Sequence, residues 1–324
     1  MGLLIEGKWH TDWYDTESNN GEFVRKDSQY RNWIGSDAYP AAAGRYHLFV
    51  SLACPWAHRT LIFRKLKKLE QVIGVTVVKA EMLNKGWEIS DAVSVAAGYD
   101  ASPVAGIATL AQLYTKADSS YSGRVTVPVL WDTHTNTIVS NESADIIRML
   151  NSAFEEFTED RADYYPQALA VEIDKLNDYV YQHINNGVYR AGFATTQAAY
   201  EKAFHQLFEA LDKVEEILGR QAYLLGDQVT EADWRLFTTL IRFDSVYFGH
   251  FKTNLRQIEA YPNISNYVRE LYQHAGVAET VNFEHIKTHY YYSHDTINPT
   301  RVVPLGPDID YTRPHDRQRF KVAA

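Results

Sequence analysis

Cysteine is nearly absent from this sequence of 324 residues, in which Cys54 is the single example. One thiol cannot form an internal disulfide, so a disulfide-stapled scaffold is excluded. Nor can one cysteine supply the thiolates of a cysteine-based zinc site, and we expect no bound metal. Any thiol redox chemistry must therefore recruit a second thiol from outside the chain.

Long apolar runs and an excess of positive charge are also missing. No stretch reaches the ~18 apolar residues that a membrane helix requires, and Glu6, Asp12 and Asp15 interrupt any signal peptide near the start. The formal net charge is -9 and the pI is about 5.7. Because phosphate binding needs clustered Lys and Arg, these values argue against a nucleic-acid binder. We expect a soluble cytoplasmic protein that binds neither nucleic acid nor membranes.

The sequence does contain enough apolar material for a large core. Its hydrophobic fraction is 45%, and its length suggests two main domains. Residues 1–44 show no sustained strand or helix period, but they hold several Trp and Tyr, which disordered tails usually lack. We expect an ordered N-terminal extension packed on the body over 1–44, an α/β domain over 45–156, an all-helical domain over 165–289, and a tail covering the active site or the body over 290–324.

The α/β segment has the element order β-α-β-α-β-β-α, which is the thioredoxin arrangement. The predicted strands cover 45–51, 72–78, 125–131 and 137–139, and the first two predicted helices cover 55–69 and about 104–115. Ser140 or Asn141 is expected to cap the third helix. Strand signals then cease, and the later predicted helices cover 167–185, 196–219, 231–248, 262–274 and 276–288.

Cys54 stands at the start of a predicted helix, directly after a predicted buried strand. Helix N–H groups and the macrodipole stabilise a thiolate there, and Arg59 adds a positive charge nearby. Thiols in such settings have pKa values lowered from about 8.5 to roughly 3.5–7.5. The alternative is an inert cysteine that packs as a small hydrophobe. His58 could transfer protons or be structural, and Arg59 could be no more than a surface charge.

The pair Val127-Pro128 lies just before a strand, where thioredoxin-like proteins place a cis-proline. The residue before that proline offers its backbone N–H and C=O to a bound peptide, so glutathione would dock there as an added strand. An ordinary trans proline at a strand start is the alternative.

The run Ser140-Asn141-Glu142-Ser143 opens the next helix. Its N–H groups and serine hydroxyl can hold a carboxylate, and Glu142 can pair with an ammonium group. The γ-glutamyl end of glutathione presents both groups, although a plain N-cap would have the same composition.

Tyrosines are abundant in the helical half and beyond. Tyr189, Tyr247 and the triplet Tyr290-Tyr291-Tyr292 could donate hydrogen bonds to the oxygens of an aromatic substrate. Packing in the core is the alternative for each of them.

The run Ser51-Leu52-Ala53-Cys54-Pro55-Trp56-Ala57-His58-Arg59-Thr60 resembles the active-site signature of the glutathionyl-hydroquinone reductases, the Xi class of glutathione transferases. The likeness also covers 85–87, 124–132 and 138–144 and extends through the helical half. It implies a glutathione transferase architecture, in which a thioredoxin-like domain precedes an all-α domain, and a homodimer.

The resemblance also implies residue roles, with Cys54 as the nucleophile and glutathione as co-substrate. The implied glutathione contacts are Trp87, Arg124, the backbone of Val127 beside Pro128, Glu142 and Ser143. The implied hydroquinone-site tyrosines are Tyr189, Tyr247 and Tyr290, with Tyr189 and Tyr290 as candidate proton donors.

The implied reaction reduces S-glutathionyl-hydroquinones to hydroquinones through a Cys54–glutathione mixed disulfide, which a second glutathione resolves. One alternative is another single-cysteine glutathione enzyme, such as a dehydroascorbate reductase or a thiol transferase. The other is a non-catalytic binding module with a glutathione transferase-like fold.

Overall fold

The computed structural model describes residues 2–320, which form two compact units. The first unit takes the chain up to Trp13, then Lys26–Ala162 and Thr280–Ser293, and the second takes Tyr14–Arg25, Asp163–Glu279 and the chain from His294. The units therefore interleave in sequence, unlike the four consecutive segments expected above. Residues 280–289, expected in the helical domain, belong to the first unit, and the 1–44 segment is divided between both.

The elements follow in chain order. The strands are β1 (Leu3–Ile5), β2 (Lys8–His10), β3 (Tyr46–Val50), β4 (Gly74–Val77), β5 (Gly123–Arg124), β6 (Val129–Asp132) and β7 (Thr137–Ser140). The α-helices are α1 (Pro55–Leu66), α2 (Asp91–Ala96), α3 (Leu110–Ala117), α4 (Ser143–Ser152), α5 (Ala170–Val180), α6 (Gly187–Gly192), α7 (Gln197–Leu218), α8 (Glu231–Arg242), α9 (Phe248–His250), α10 (Pro262–Gln273) and α11 (Phe283–Ser293).

A four-stranded sheet in the order β4-β3-β6-β7 forms the centre of the first unit. β3 and β4 are parallel, as a β-α-β crossover through α1 requires, whereas β6 runs antiparallel to β3 and β7 antiparallel to β6. Every residue of β3 is buried. The predicted thioredoxin-like arrangement is confirmed.

A second, three-stranded sheet corrects the expectation for the N-terminal segment. β1 pairs with β2 and with β5, and Leu3 lies opposite Arg124. Strands of three residues are too short to display a sequence period, which is why the pattern did not reveal them. Leu4 is 1% exposed, so the segment is packed as well as paired.

Two helix starts also differ from the predictions. α3 begins at Leu110 instead of 104, because Thr109 and Gln112 form a reciprocal capping box. α4 is capped by Glu142, not by Ser140 or Asn141, and the Glu142 Oε1 accepts a hydrogen bond from Ala144 N at 3.0 Å. The short α2, which Ser90 caps, was not predicted.

The second unit is helical, as predicted. Two of its helices pass through π-helical turns: α5 leads through Tyr181–Asn185 to α6, and α8 leads through Phe243–Tyr247 to α9. α6 was not predicted, because Gly187 and Gly192 weaken its helical signal. In place of the predicted 276–288 helix there is a 3-10 turn at Ala278–Thr280 followed by α11. Ala278 and Glu279 belong to the second unit, whereas Thr280 and α11 belong to the first.

Candidate active site

The sheet brings three separate segments of the sequence to one edge. Phe49 pairs with Val129, so the carboxyl end of β3 lies beside the amino end of β6. Leu130 pairs with Ser140, which adds the carboxyl end of β7 to the same edge. Cys54 follows β3, Val127-Pro128 precedes β6, and Glu142 follows β7. The three predicted parts of the glutathione site therefore belong to one edge of the sheet.

Cys54 is the N-cap residue of α1 and is partly exposed. Its N–H donates to Ser51 O at 3.1 Å, and its Sγ donates to Val127 O at 3.5 Å. Pro55 occupies the first turn, where a helix tolerates a missing N–H. The predicted strand–cysteine–helix setting is confirmed, and it places the thiol where a helix N-terminus favours negative charge.

The peptide bond between Val127 and Pro128 is cis. This confirms the cis-proline predicted from the order of elements, and the alternative of an ordinary trans proline is wrong. Val127 is 5% exposed, and its carbonyl lies within hydrogen-bonding distance of the Cys54 thiol.

The start of α4 is held by side chains from two directions. Ser28 Oγ donates to Glu142 Oε2 at 3.1 Å, and Glu142 N donates to Ser140 Oγ at 3.1 Å. Ser143 is the first residue of the helix and is 4% exposed. Sequence reasoning missed Ser28, because an isolated serine in an irregular segment carries no pattern that identifies its partner.

Arg59 and His58 are both buried in α1. Arg59 is 1% exposed, so its interpretation as a surface charge is wrong. Its Nη1 lies 3.4 Å from Ser143 Oγ, and its guanidinium carbon lies 4.6 Å from the centroid of the Trp56 ring, in cation–π geometry. His58 is 0% exposed, and its Nε2 lies 2.7 Å from Thr280 Oγ1, which supports the structural interpretation.

Trp87 and Arg124 are both engaged by other parts of the first unit. Trp87 is 4% exposed and stacks on His289, with ring centroids 4.8 Å apart and an interplanar angle of 19°. Arg124 donates from Nη1 to Asp12 O at 2.5 Å and from Nη2 to Trp13 O at 2.6 Å. In this structure Arg124 therefore anchors the N-terminal segment through its main-chain carbonyls.

The three predicted substrate tyrosines are divided between the units. Tyr290 lies on α11 in the first unit and is 2% exposed. Tyr189 and Tyr247 lie in the second unit, where their ring centroids are 6.0 Å apart. Both pack against Phe251, at 5.5 Å and 5.4 Å, so these two tyrosines belong to one aromatic cluster.

The helix α11 brings further side chains to the first unit that sequence reasoning did not connect with the site. His285 Nε2 lies 3.3 Å from Ser51 Oγ, across a separation of 234 residues. His289 Nδ1 lies 2.9 Å from Ala80 O. Ser293 Oγ accepts from Met82 N at 2.9 Å. No local signal could have paired residues so far apart in the chain.

Two kinds of site are absent from the described part of the chain. Within residues 2–320, no group of three or more His, Cys, Asp or Glu side chains could hold a metal ion. No helix in the same range is long and apolar enough to cross a membrane.

Comparison with known proteins identifies the family. The family model for the glutathione S-transferase N-terminal domain matches residues 53–153, and that for the C-terminal domain matches residues 197–270. Over 326 aligned residues the chain is 53% identical to the glutathionyl-hydroquinone reductase YqjG of Escherichia coli, with 98% of each chain covered. The chain belongs to the Xi class of glutathione transferases, the glutathionyl-hydroquinone reductases.

Solved structures of relatives agree with this assignment. The glutathione-bound structure of Escherichia coli YqjG superposes on this Xi-class chain with a TM-score of 0.89 at 49% identity, covering 98% of this chain and 99% of that one. The Xi-class transferase of Phanerochaete chrysosporium gives a TM-score of 0.87 at 52% identity, covering 92% and 96%. The fold is therefore that of an Xi-class glutathione transferase.

Proposed function

We propose that this protein reduces S-glutathionyl-hydroquinones to hydroquinones with glutathione as co-substrate. The observation that carries the proposal is the Cys54 thiol, at the N-terminus of α1 and 3.5 Å from the carbonyl that precedes cis-Pro128. A peptide docked on that carbonyl segment would present its own sulfur to this thiol. The likeness to a named glutathionyl-hydroquinone reductase supports the choice of substrate.

The first half of the reaction transfers glutathione to the enzyme. The Cys54 thiolate attacks the glutathione sulfur, a sulfur–sulfur bond forms, and the carbon–sulfur bond to the ring breaks. The electron pair of that bond leaves with the ring carbon, which takes up one proton and becomes the free hydroquinone. Cys54 is then a mixed disulfide with glutathione.

The second half regenerates the thiolate. Since Cys54 is the only cysteine in the sequence, a second glutathione thiolate must attack the glutathione sulfur of the mixed disulfide. The products are glutathione disulfide and the Cys54 thiolate. The hydroquinone is thus formed by the net oxidation of two glutathione units to one disulfide, in a ping-pong cycle.

Glutathione would be held by the segment before β6 and by the start of α4. The backbone of Val127 beside Pro128 would pair with the peptide, and Ser143 and Glu142 would receive its γ-glutamyl carboxylate and ammonium groups. The buried Arg59, 3.4 Å from Ser143 Oγ, adds a positive charge that favours a carboxylate there. Trp87 and Arg124 would mainly position glutathione, so their loss should raise KM more than it lowers kcat.

Tyrosines would bind the aromatic part of the substrate. Tyr189, Tyr247 and Tyr290 would donate hydrogen bonds to the phenolic oxygens, and Tyr189 or Tyr290 would protonate the leaving ring carbon. Replacing each with Phe removes only the hydroxyl, so a selective fall in kcat would identify the donor.

A side-by-side assay tests the reaction. S-glutathionyl-hydroquinone, dehydroascorbate and a small glutathione mixed disulfide are each supplied with glutathione, and turnover is measured. We expect the first to have the highest kcat/KM. Turnover of only the second or third would replace the proposal with a dehydroascorbate reductase or thiol transferase, and no turnover of any would favour a binding module.

The covalent intermediate is tested on Cys54 itself. After incubation with S-glutathionyl-hydroquinone, mass spectrometry should find one glutathione attached to the wild-type protein and none to Cys54→Ser. Retention of Cys54→Ser on immobilised glutathione shows that the binding site is still folded. Glutathione attached to the serine variant would rule out Cys54 as the nucleophile.

We place the protein in the cytoplasm, where glutathione is kept reduced. We also assign it a homodimer, by analogy with the family. Light scattering at several concentrations tests the second assignment, and a monomer mass at all of them would contradict it.

A further inference from the structure

The hydroxyl of Tyr114 is a buried junction between two segments of the first unit. Tyr114 lies in α3 and is 0% exposed. Its hydroxyl donates to Thr126 O at 3.1 Å and accepts from Thr126 N at 3.4 Å and from Asn141 Nδ2 at 3.0 Å. A phenolic hydroxyl has one proton to donate and two lone pairs, so these contacts use its whole capacity. Thr126 Oγ1 lies 3.3 Å from the same hydroxyl and is an alternative partner for it.

The partners of this hydroxyl immediately precede the proposed glutathione contacts. Thr126 comes directly before Val127 and the cis-proline, and Asn141 comes directly before Glu142 and the start of α4. One segment would bind the backbone of glutathione and the other its γ-glutamyl end. The hydroxyl therefore connects the two segments that one glutathione molecule would contact at the same time.

Asn141 is itself held on its other side. Its backbone N donates to Tyr30 O at 3.1 Å, and its Oδ1 accepts from Tyr30 N at 3.2 Å. With Nδ2 given to Tyr114, the Asn141 amide bridges the N-terminal segment and α3. Asn141 is 5% exposed, so water cannot readily replace a lost partner.

We infer that Tyr114 is a positioning residue for glutathione, which fixes the cis-proline segment and the start of α4 at the spacing the tripeptide requires. The inference rests on the proposed function for the identity of the glutathione contacts. Tyr114 acts through Thr126 and Asn141, not by touching the substrate. Its loss should therefore weaken glutathione binding more than it slows the chemical step.

The variant Tyr114→Phe tests this with the smallest possible change. It keeps the ring, which packs against Tyr30 and Tyr121 with centroids 6.1 Å and 5.1 Å away, and removes only the hydroxyl. We expect the Kd for glutathione, measured by calorimetry, to rise roughly 3- to 10-fold. The KM for the glutathione conjugate should rise in parallel, with kcat within about twofold.

Tyr46→Phe is the matched control. Tyr46 is 1% exposed in the same unit and donates one hydrogen bond from its hydroxyl to Pro40 O at 2.8 Å. It lies at the opposite end of the sheet, since it pairs with Asp132, the last residue of β6. Both variants should lower the melting temperature, but only Tyr114→Phe should raise the glutathione Kd. Equal losses of stability with an unchanged Kd in both would overturn the inference.

A double-mutant cycle provides a second and independent readout. Asn141→Ala removes the same hydrogen bond from its other end, so its effect on the glutathione Kd should overlap with that of Tyr114→Phe. The fold-increase in Kd of the double variant should therefore be smaller than the product of the two single fold-increases. Effects on the glutathione Kd that multiply independently in the double variant would overturn the inference. Because glutathione Kd is measured without turnover, this result does not depend on which conjugate the enzyme reduces.

Discussion

At the scale of single residues, the two basic side chains near Cys54 in α1 are both buried but make contacts in different directions. His58 and Arg59 are neighbours in α1, yet His58 reaches Thr280 whereas Arg59 reaches Ser143 at the start of another helix. The sequence could place both near the thiol but could not show which way each side chain points. Arg59 therefore lies beside the proposed glutathione contact Ser143, and His58 belongs to the packing of the 280–293 segment.

The chemical prediction at this scale concerns the thiol itself. Because Cys54 caps α1, we expect the pH midpoint of its alkylation rate to lie below the ordinary cysteine value of about 8.5. Iodoacetamide labelling followed by mass spectrometry across pH measures it. The same protein in concentrated urea is the control, since unfolding removes the helix and should return the midpoint to the ordinary value. Identical midpoints in both states would contradict the prediction and favour a non-catalytic binding module.

At the scale of elements, α11 shows how a helix late in the sequence supports a loop of the first unit. The loop after β4 carries Trp87, and α11 holds that loop at three places: His289 stacks on Trp87 and bonds Ala80 O, and Ser293 bonds Met82 N. The 280–293 segment follows most of the helical unit in sequence but packs in the first unit. The position of Trp87 therefore depends on α11.

Two substitutions of His289 separate its two contacts. His289→Ala removes both the stack on Trp87 and the bond to Ala80 O, and it should raise KM for the glutathione conjugate roughly 2- to 10-fold. His289→Phe keeps an aromatic partner, so its KM should stay nearer the wild-type value. Steady-state kinetics with both variants measures this. A KM for His289→Phe as high as that for His289→Ala would show that stacking does not position Trp87.

The elements that sequence reasoning recovered are those with local signals. The strand before Cys54 and the helix after it follow from apolar periodicity, and the observed elements differ from the predicted ones by only a few residues at their ends. β1, β2 and α2 were not predicted because each is too short to show an apolar periodicity in the sequence. The predicted start of α3 was wrong because the Thr109 cap, not the apolar pattern, sets where the helix begins.

At the scale of the whole molecule, each unit contains a buried histidine that is held neutral. Burial lowers the pKa of His47 in the first unit and of His250 in the second to about 4, from an ordinary 6.5. Burial also raises the pKa of Asp244 in the second unit to about 6, from 3.8, although hydrogen bonds from Ile258 N and Glu259 N oppose the shift.

These groups predict how stability depends on pH. Between pH 6.5 and about 4 the unfolded chain holds protons that native His47 and His250 do not, so each lowers the free energy of unfolding by about 1.4 kcal/mol per pH unit of acidification. Below about pH 6 native Asp244 holds a proton that the unfolded chain lacks. This stabilises the native state on acidification and offsets the destabilising effect of one histidine. We expect a net loss of stability, measured by urea unfolding at a series of pH values.

The variant Asp244→Asn is the control for this prediction. It removes the opposing group, so the loss of stability between about pH 6 and 4 should become steeper. Stability that is flat or rises on acidification in the wild type would contradict the assignment of neutral buried histidines.

From its sequence alone the chain could be assigned to a family and to an α/β-then-helical fold, and Cys54 could be proposed as a nucleophile that needs an external thiol. The family comes from the resemblance of the motif around Cys54 to a known signature, and the fold and the candidate nucleophile come from local patterns: a strand, a cysteine and a helix in succession, and a proline before a strand. The need for an external thiol comes from the absence of a second cysteine. Tertiary structure decided how the site is held together, through Ser28 on Glu142, His289 on Trp87, and Tyr114 between Thr126 and Asn141. The His289 and Ser28 contacts join residues that are far apart in the chain. No sequence pattern identifies the partners of the Tyr114 hydroxyl. Packing alone selects such partners, because a side chain's hydrogen bonds depend on what the fold places within about 3 Å of it.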